Sequence, residues 1–476
     1  MQYEIDTRPL PLVILRHLTR YFVFGLLAFF FIWFIRLPPF SGLSAEGQKA
    51  IGVFLICVAL WLTQLLPLAA TGLLAVVLPP LLGVMESKVV YGYFGNQSVF
   101  FILGAFILAA AVMNSGLSTR LTLALITRIG HSPKKLLMSV LFIPLFMAFW
   151  IPEHAVAVMF FPILLEIVHA LKLRPGRSRF GASLFVAMGW GCITGGITTL
   201  LGGARAPLAL AILESTKHTS ISFFEWMLAA WPATLILGLT AAWVVPFFFP
   251  SDLESIEPAI AALKEKKFHL GKMSLNEKAV AILMMVTIYA WIFFSEKYGI
   301  ANIALLSVVV LFVFRLIEWK TIEKYVNWGV VLMYGGAITL GVVLKDTGAA
   351  GWIAEHFLGG FAERPFLFVV MLVLMATVLT EAVSNAAVVA ILLPVALGMT
   401  DVLGINPRFV TLAIGVPAGL GYMFPMASPP NAIAHSAEFF RVRDVLLPGL
   451  IMNLMSWLTF IIVAKFYWPL IGISMR

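Results

Sequence analysis

The sequence predicts an all-α integral membrane protein: about 11 transmembrane helices plus two re-entrant hairpins, set in inverted-topology repeats. Three observations carry this. Of 476 residues, 61% are hydrophobic and 12% charged, whereas soluble domains clothe their surface with about 25% charged residues. Apolar windows of about 20 residues, the length that crosses roughly 30 Å of hydrocarbon, recur along the chain. Two further apolar stretches are broken midway by polar residues, and one constant displacement relates the two halves.

The first span, Tyr21 to Ile35, follows Arg8, Arg16 and Arg20 without a small-residue cleavage site, so it reads as a retained helix rather than a signal peptide. Further spans are expected near 50–66, 68–85, 98–116, 181–213, 226–249, 279–295, 301–317, 328–346, 408–435 and 447–470. The stretches 136–170 and 365–400 remain, broken at Pro152-Glu153-His154 and at Glu381 with Ser384-Asn385. Irregular backbone at membrane depth survives only where protein or a wet cavity satisfies its polar groups. Both stretches therefore read as re-entrant hairpins whose tips meet in the interior, with a kinked, buried span as the alternative.

Short-loop Lys and Arg mark the cytoplasmic side. Lys134 and Lys135 precede the first hairpin and Lys172, Arg174, Arg177 and Arg179 follow it, so both of its ends face the cytoplasm. The same rule places inside the loop 251–278, with Lys264, Lys266, Lys267, Lys272 and Lys278, and the pair Arg441 and Arg443. The second hairpin then opens outward. The chain divides into an N-terminal segment with the first helix (1–49), a first repeat (50–250), a cytoplasmic linker (251–278) and a second repeat (279–476). Gly104 and Gly116 match Gly336 and Gly348, and Pro162 matches Pro394, each 232 residues on. That displacement sets Glu153 on Asn385. Inverted repeats in secondary transporters hold substrate at the midplane between broken helices.

The net charge of +9 is too scattered for a nucleic-acid stripe, so no nucleic-acid partner is expected. Cys57 and Cys192 lie in apolar stretches and indicate neither a disulfide framework nor a thiolate metal site. No zinc-protease, P-loop or nucleophile-elbow motif occurs, which leaves an enzyme the least supported class. At a hairpin tip one half-helix ends in free carbonyls and the next begins with free amides. Ser384 and Asn385 there can offer oxygen to a cation and N–H to an anion; a plain N-cap is the alternative.

Four pieces, in order, carry a resemblance. Trp61-Leu-Thr63-Gln64-Leu-Leu-Pro67 is similar to W-x-T-E-x-x-P, with Gln64 for Glu. Gly195-Gly196-Ile-Thr-Thr199-Leu-Leu-Gly202 is similar to G-G-x-x-T-x-x-G. Ser384-Asn385-Ala386 resembles an S-N-T tip, and Ser428-Pro429-Pro430-Asn431 resembles a T-P-P-N turn. Over most of residues 50–470 the chain thus resembles the divalent anion/sodium symporters, carriers of dicarboxylates, tricarboxylates or sulfate. The resemblance implies substrate contacts at Thr199, Ser384, Asn385, Ser428, Pro429 and Asn431. It also implies a sodium site at Thr380, Val383 and Asn385, no other cofactor, and a homodimer.

The first repeat departs from that pattern. Its tip reads Pro152-Glu153-His154, Ala148 stands where a Ser is usual, and the turn expected as G-T-P-P-N reads Gly202-Gly203-Ala204-Arg205-Ala206-Pro207. An ionisable group at membrane depth costs roughly 2.5–3.5 kcal/mol and is therefore paired or functional. Glu153 and Arg205 are expected to pair, with Arg205 supplying the positive charge that sodium provides in relatives and reaching an anionic substrate; a purely structural salt bridge is the alternative. Glu153 and His154 are a candidate proton-coupling pair, or His154 is a neutral core residue. Glu166 with His169, and Glu355 with His356, read as solvated faces.

The function expected is secondary-active transport of small anions, dicarboxylates foremost, across the cell inner (plasma) membrane by alternating access, coupled to sodium, protons or both. Alternatives are a sulfate or other inorganic-anion carrier, an anion exchanger, a passive anion channel, and a cation/proton antiporter, against which the neutral Ser384-Asn385 and Pro429-Pro430-Asn431 elements argue.

Overall fold

Residues 10–358 and 364–476 are described by a computed structural model, and the described residues form helices and connecting loops without a strand. Arg8 lies outside them. The first half runs α1 (Leu10–Arg36), α2 (Ala45–Thr63), α3 (Leu68–Leu81), α4 (Ser87–Gly92), α5 (Gln97–Asn114), α6 (Leu117–Ile129), α7 (Pro133–Met147), α8 (Glu153–Ala170), α9 (Arg179–Gly196), α10 (Arg205–Lys217) and α11 (Phe223–Phe248). After α12 (Glu257–His269) the second half runs α13 (Leu275–Tyr298), α14 (Ile300–Val313), α15 (Trp319–Tyr325), α16 (Trp328–Asp346), α17 (Ala349–Leu358), α18 (Pro365–Leu379), α19 (Asn385–Leu403), α20 (Pro407–Gly415), α21 (Pro429–His435) and α22 (Val442–Ile462). Among the described residues, 9 helices are long and apolar enough to cross a membrane, and α3, α14 and α18 are shorter apolar helices. In α1, none of the 18-residue apolar window is buried, as befits a helix whose surroundings are lipid.

Helices starting at 87, 117, 133 and 153 recur at 319, 349, 365 and 385, the displacement of 232 residues that also separates Glu153 from Asn385. The halves interlock, because α3 packs on α16 and α14 packs on α5. A Cβ on Gly336 would fall 2.2 Å from the Gly72 carbonyl oxygen, and one on Gly104 would fall 2.8 Å from Cβ of Ala304. Gly72 and Ala304 occupy equivalent places, so the two crossings are images of each other. Each needs a residue without a side chain, since small residues let helix backbones touch where lipid offers no hydrophobic drive.

The structure differs from the sequence reading in two places. The windows 181–213 and 408–435, read as single spans, are each two helices, α9 with α10 and α20 with α21, and the expected turns at 202–207 and 428–431 lie where α10 and α21 begin. The breaks run through Gly195-Gly196, Gly202-Gly203 and Pro417 to Gly419, residues that hydropathy counts as apolar but that hold a helix poorly. The second difference is α12, inside the stretch read as a loop. Pro258 starts this helix and Ala259, Ile260 and Leu263 are its buried face, laid against α8 and α6. Lys266 pairs with Glu166 of α8. Arg120 of α6 holds the chain just beyond, donating to the carbonyls of Leu270 and Gly271 and to the Glu277 carboxylate at 3.0, 2.8 and 2.8 Å.

Candidate functional site

Both interrupted stretches break where they were expected to. α7 ends at Met147 and α8 begins at Glu153; α18 ends at Leu379 and α19 begins at Asn385. Pro152, which has no N–H, takes the N-cap of α8. Ser384 caps α19 by accepting from the Ala387 amide at 3.3 Å. The two breaks meet: Nδ2 of Asn385 donates to Oε1 of Glu153 at 3.4 Å. A second equivalent pair touches nearby, Trp190 Nε1 donating to the Tyr422 carbonyl at 3.2 Å.

Arg205 opens α10 beside the first break. Its Nη1 donates to Oε2 of Glu153 at 3.3 Å, while Nε and Nη2 are buried without a partner. The guanidinium lies flat on the other repeat, where a Cβ at Gly419 would stand 2.2 Å from its Cζ. The loop that carries it is pinned by the Tyr334 hydroxyl of α16, which donates to the Ala204 carbonyl. A buried cation with two of its three guanidinium nitrogens unpartnered is costly.

A cavity of about 340 Å³ lies at this junction. Glu153, His154, Arg205, Ser384, Asn385, Ser428 and Pro429 line it together with Leu68, Phe106, Asn327 and Val330. Three helices of 13 residues or more, α8, α10 and α19, begin at its wall. Their N-terminal amides and dipoles favour an anion there. Glu153 and Arg205 cancel in charge, so the wall is polar and close to neutral. His154 is half-buried, its ring edge-on to Phe106 with centroids 6.1 Å apart.

The other residues singled out in the sequence stand behind this wall. Thr199 is fully buried and its hydroxyl donates to the Phe149 carbonyl. Nδ2 of Asn431 donates to the Gly421 carbonyl at 2.8 Å, holding the break that precedes α21. Val383 is buried. The Thr380 hydroxyl lies 2.8 Å from Oδ1 of Asn385 and 2.6 Å from the Ala418 carbonyl oxygen. One hydroxyl proton serves only one of those oxygens, and three oxygens converging on one proton are a donor set that a hard cation takes well. Among the described residues no group of three or more His, Cys, Asp and Glu could hold a metal ion.

Sequence reasoning missed four contributors. The Ala418 carbonyl and the Tyr334 hydroxyl carry no motif, and Asn327 was one polar residue between helices. Glu381 had shown only as a polar interruption. Its carboxylate accepts from the amides of Tyr422, Met423 and Phe424 at 2.6, 3.0 and 3.1 Å and from Nδ2 of Asn453 at 2.6 Å. It thereby ties the second break to the break before α21. The pattern that could have flagged it is an acidic residue at membrane depth with no basic partner nearby in sequence.

With the geometry in place, comparison with known proteins gives a consistent result. A family model described as the sodium:sulfate symporter transmembrane region matches residues 17–474. A sodium-dependent dicarboxylate transporter, SdcS, of Staphylococcus aureus (strain bovine RF122 / ET3-1) is 29% identical over 90% of this chain and 87% of its own length. Its namesake in Staphylococcus saprophyticus is 27% identical over 90% and 88%. Two solved structures share the fold. MtrF of Neisseria gonorrhoeae has a TM-score of 0.57 at 14% identity, covering 91% of this chain and 95% of its own. The YdaH transporter of Alcanivorax borkumensis has a TM-score of 0.53 at 15% identity, covering 80% and 88%.

Proposed function

The chain belongs to the sodium:sulfate symporter family, and from that premise we propose that it is a sodium-coupled carrier of small organic dicarboxylates working by alternating access. It is a multi-pass protein of the plasma membrane that moves small anions. The observation that carries the finer reading is the cavity between the two breaks, where three helix N-termini converge and which Arg205, with two buried and unpartnered guanidinium nitrogens, lines. Leu68, Phe106 and Val330 on the same wall favour a substrate with methylenes over sulfate, which is polar all round. The naming of the Staphylococcus relatives as sodium-dependent dicarboxylate transporters supports the same choice.

In this reading one substrate carboxylate takes the free N–H groups of Arg205 and the polar edge formed by Ser384, Asn385, Ser428 and Pro429. Thr199 and Asn431 hold the loops that present them. Sodium is carried against the Thr380 hydroxyl, the Asn385 side-chain oxygen and the Ala418 carbonyl, with Val383 closing the turn. Arg205 replaces a second sodium in the first repeat, and Glu153, shared between Arg205 and Asn385, is the group whose protonation would release both; His154 lies beside it on the cavity wall. The stretches 136–170 and 365–400 act as re-entrant hairpins opening to the cytoplasm and the outside, within repeats 50–250 and 279–476 joined by the linker 251–278. A homodimer, with no nucleic-acid partner, completes the proposal.

Purified protein in liposomes tests it with labelled succinate. The expected result is saturable uptake that an inward sodium gradient accelerates and that unlabelled succinate inside stimulates. Flux linear in succinate indicates a channel. Saturable exchange indifferent to sodium indicates an exchanger, and either result overturns the proposal.

A further inference from the structure

One polar side chain of the cavity lining belongs to none of the broken elements. Asn327 precedes α16 and lines the cavity with Leu68, Phe106 and Val330. It caps its own helix: Oδ1 accepts from the Val330 amide at 3.2 Å. With the oxygen committed, Nδ2 is the atom left to face a ligand. Every charged or N–H-rich group on the opposing edge belongs to the breaks, so a molecule with a single anionic end would find all its partners there. A molecule anionic at both ends has a second carboxylate to place, and a cavity of about 340 Å³ has the volume to hold it.

We infer that Asn327 is a specificity-determining residue that receives the distal carboxylate of a dicarboxylate, Nδ2 donating to it while the methylenes lie on Phe106 and Val330. This rests on the dicarboxylate reading above. The polar edge supplies affinity for any small anion; Asn327 supplies the preference for two carboxylates over one. Because Oδ1 caps the helix and Nδ2 meets the substrate, the two roles of the side chain can be separated by substitution.

Asn327→Ser and Asn327→Asp both keep an N-capping oxygen; Asp removes the donor and sets a negative charge against the substrate, while Ser replaces the amide NH₂ with a hydroxyl on a shorter side chain that falls short of the substrate. In proteoliposomes, loss of one hydrogen bond to a charged group, worth about 1.5–3 kcal/mol, raises the succinate KM about tenfold or more in Asn327→Ser. Asn327→Asp raises it further. Maximal rate and thermal midpoint stay near those of the unmodified protein in both. The inference is overturned if both variants keep a succinate KM within twofold of the unmodified value, or if KM rises only together with a lowered thermal midpoint, which marks the cap alone. Failure of the unmodified protein to move succinate overturns the dicarboxylate reading instead.

Discussion

The two breaks that meet at the cavity are built on one plan and handle charge in opposite ways. In the first, a carboxylate and a guanidinium are buried together: Glu153 is 4% exposed and Arg205 1%, and the pair leaves two guanidinium nitrogens without a partner. In the second, no ion pair reaches Glu381 among the described residues. The carboxylate of Glu381 is surrounded by neutral donors, while Thr380, Asn385 and Ala418 gather oxygens with too few protons to serve them. An inverted repeat thus fixes where a half-helix starts and stops, not what neutralises it. The first repeat carries its positive charge in the chain; in the function proposed above, the second takes one from solution.

Removing the built-in cation gives the largest expected effect. Arg205→Gln leaves Glu153 buried and unpaired, which costs about 3–5 kcal/mol of stability, and succinate uptake falls by more than about a hundredfold. The double variant with Glu153→Gln separates folding from binding. Its thermal midpoint recovers most of the loss, because no buried charge is left alone, yet uptake stays low. Uptake restored in the double variant would show that Arg205 serves structure only.

The matching change in the second break is Glu381→Gln. The amide keeps one acceptor but turns its NH₂ toward backbone amides that need acceptors, so about 1.5–3 kcal/mol of stability is lost, read as a lowered thermal midpoint. Sodium dependence keeps its midpoint, since this carboxylate faces the break before α21 and not the Thr380 oxygens. A sodium response that weakens in step with stability would place Glu381 among the cation's partners and narrow the contrast between the repeats.

Thr380→Val tests the oxygens themselves. The side chain keeps its shape and loses the hydroxyl, so the sodium concentration for half-maximal uptake rises about tenfold, the equivalent of 1.4 kcal/mol, while uptake at saturating sodium changes little. An unaltered sodium response would show that the second repeat, like the first, needs no cation from solution.

Much of this was legible in the sequence where the physics is carried by side-chain type. The window 328–346 coincides with α16, because unbroken apolarity of spanning length has few other solutions. The pairing of Glu153 with Arg205 was readable because ionisable groups at membrane depth must find each other. The breaks inside 181–213 and 408–435 were hidden from hydropathy, since Gly and Pro pass for apolar in a window, and only the turn motifs at 195–207 and 428–431 marked them. The Ala418 carbonyl and the amides around Glu381 were hidden more deeply: backbone groups belong to every residue, so only the folded chain shows which of them face a ligand or a carboxylate. Asn327 fell between these cases, a polar residue whose value depends on what lies across the cavity.

The smallest effect extends the comparison outward from the breaks. The helix after the first break, α8, is clamped from outside by α12 through buried Ala259, Ile260 and Leu263 and the Lys266–Glu166 pair. That pair is partly exposed, 38% and 28%, so water and salt weaken it, and such pairs contribute about 0.2–1 kcal/mol. Glu166→Gln therefore lowers the thermal midpoint slightly at low salt and not at high salt, where screening has already removed the interaction. Leu263→Ala opens a cavity in the same contact and lowers stability by about 2–5 kcal/mol at any ionic strength. If the clamp also guides the first break, Leu263→Ala slows uptake beyond what its stability loss explains, and Glu166→Gln does not. Equal slowing in both variants would mean that the charge pair, and not the apolar seat, couples α12 to α8.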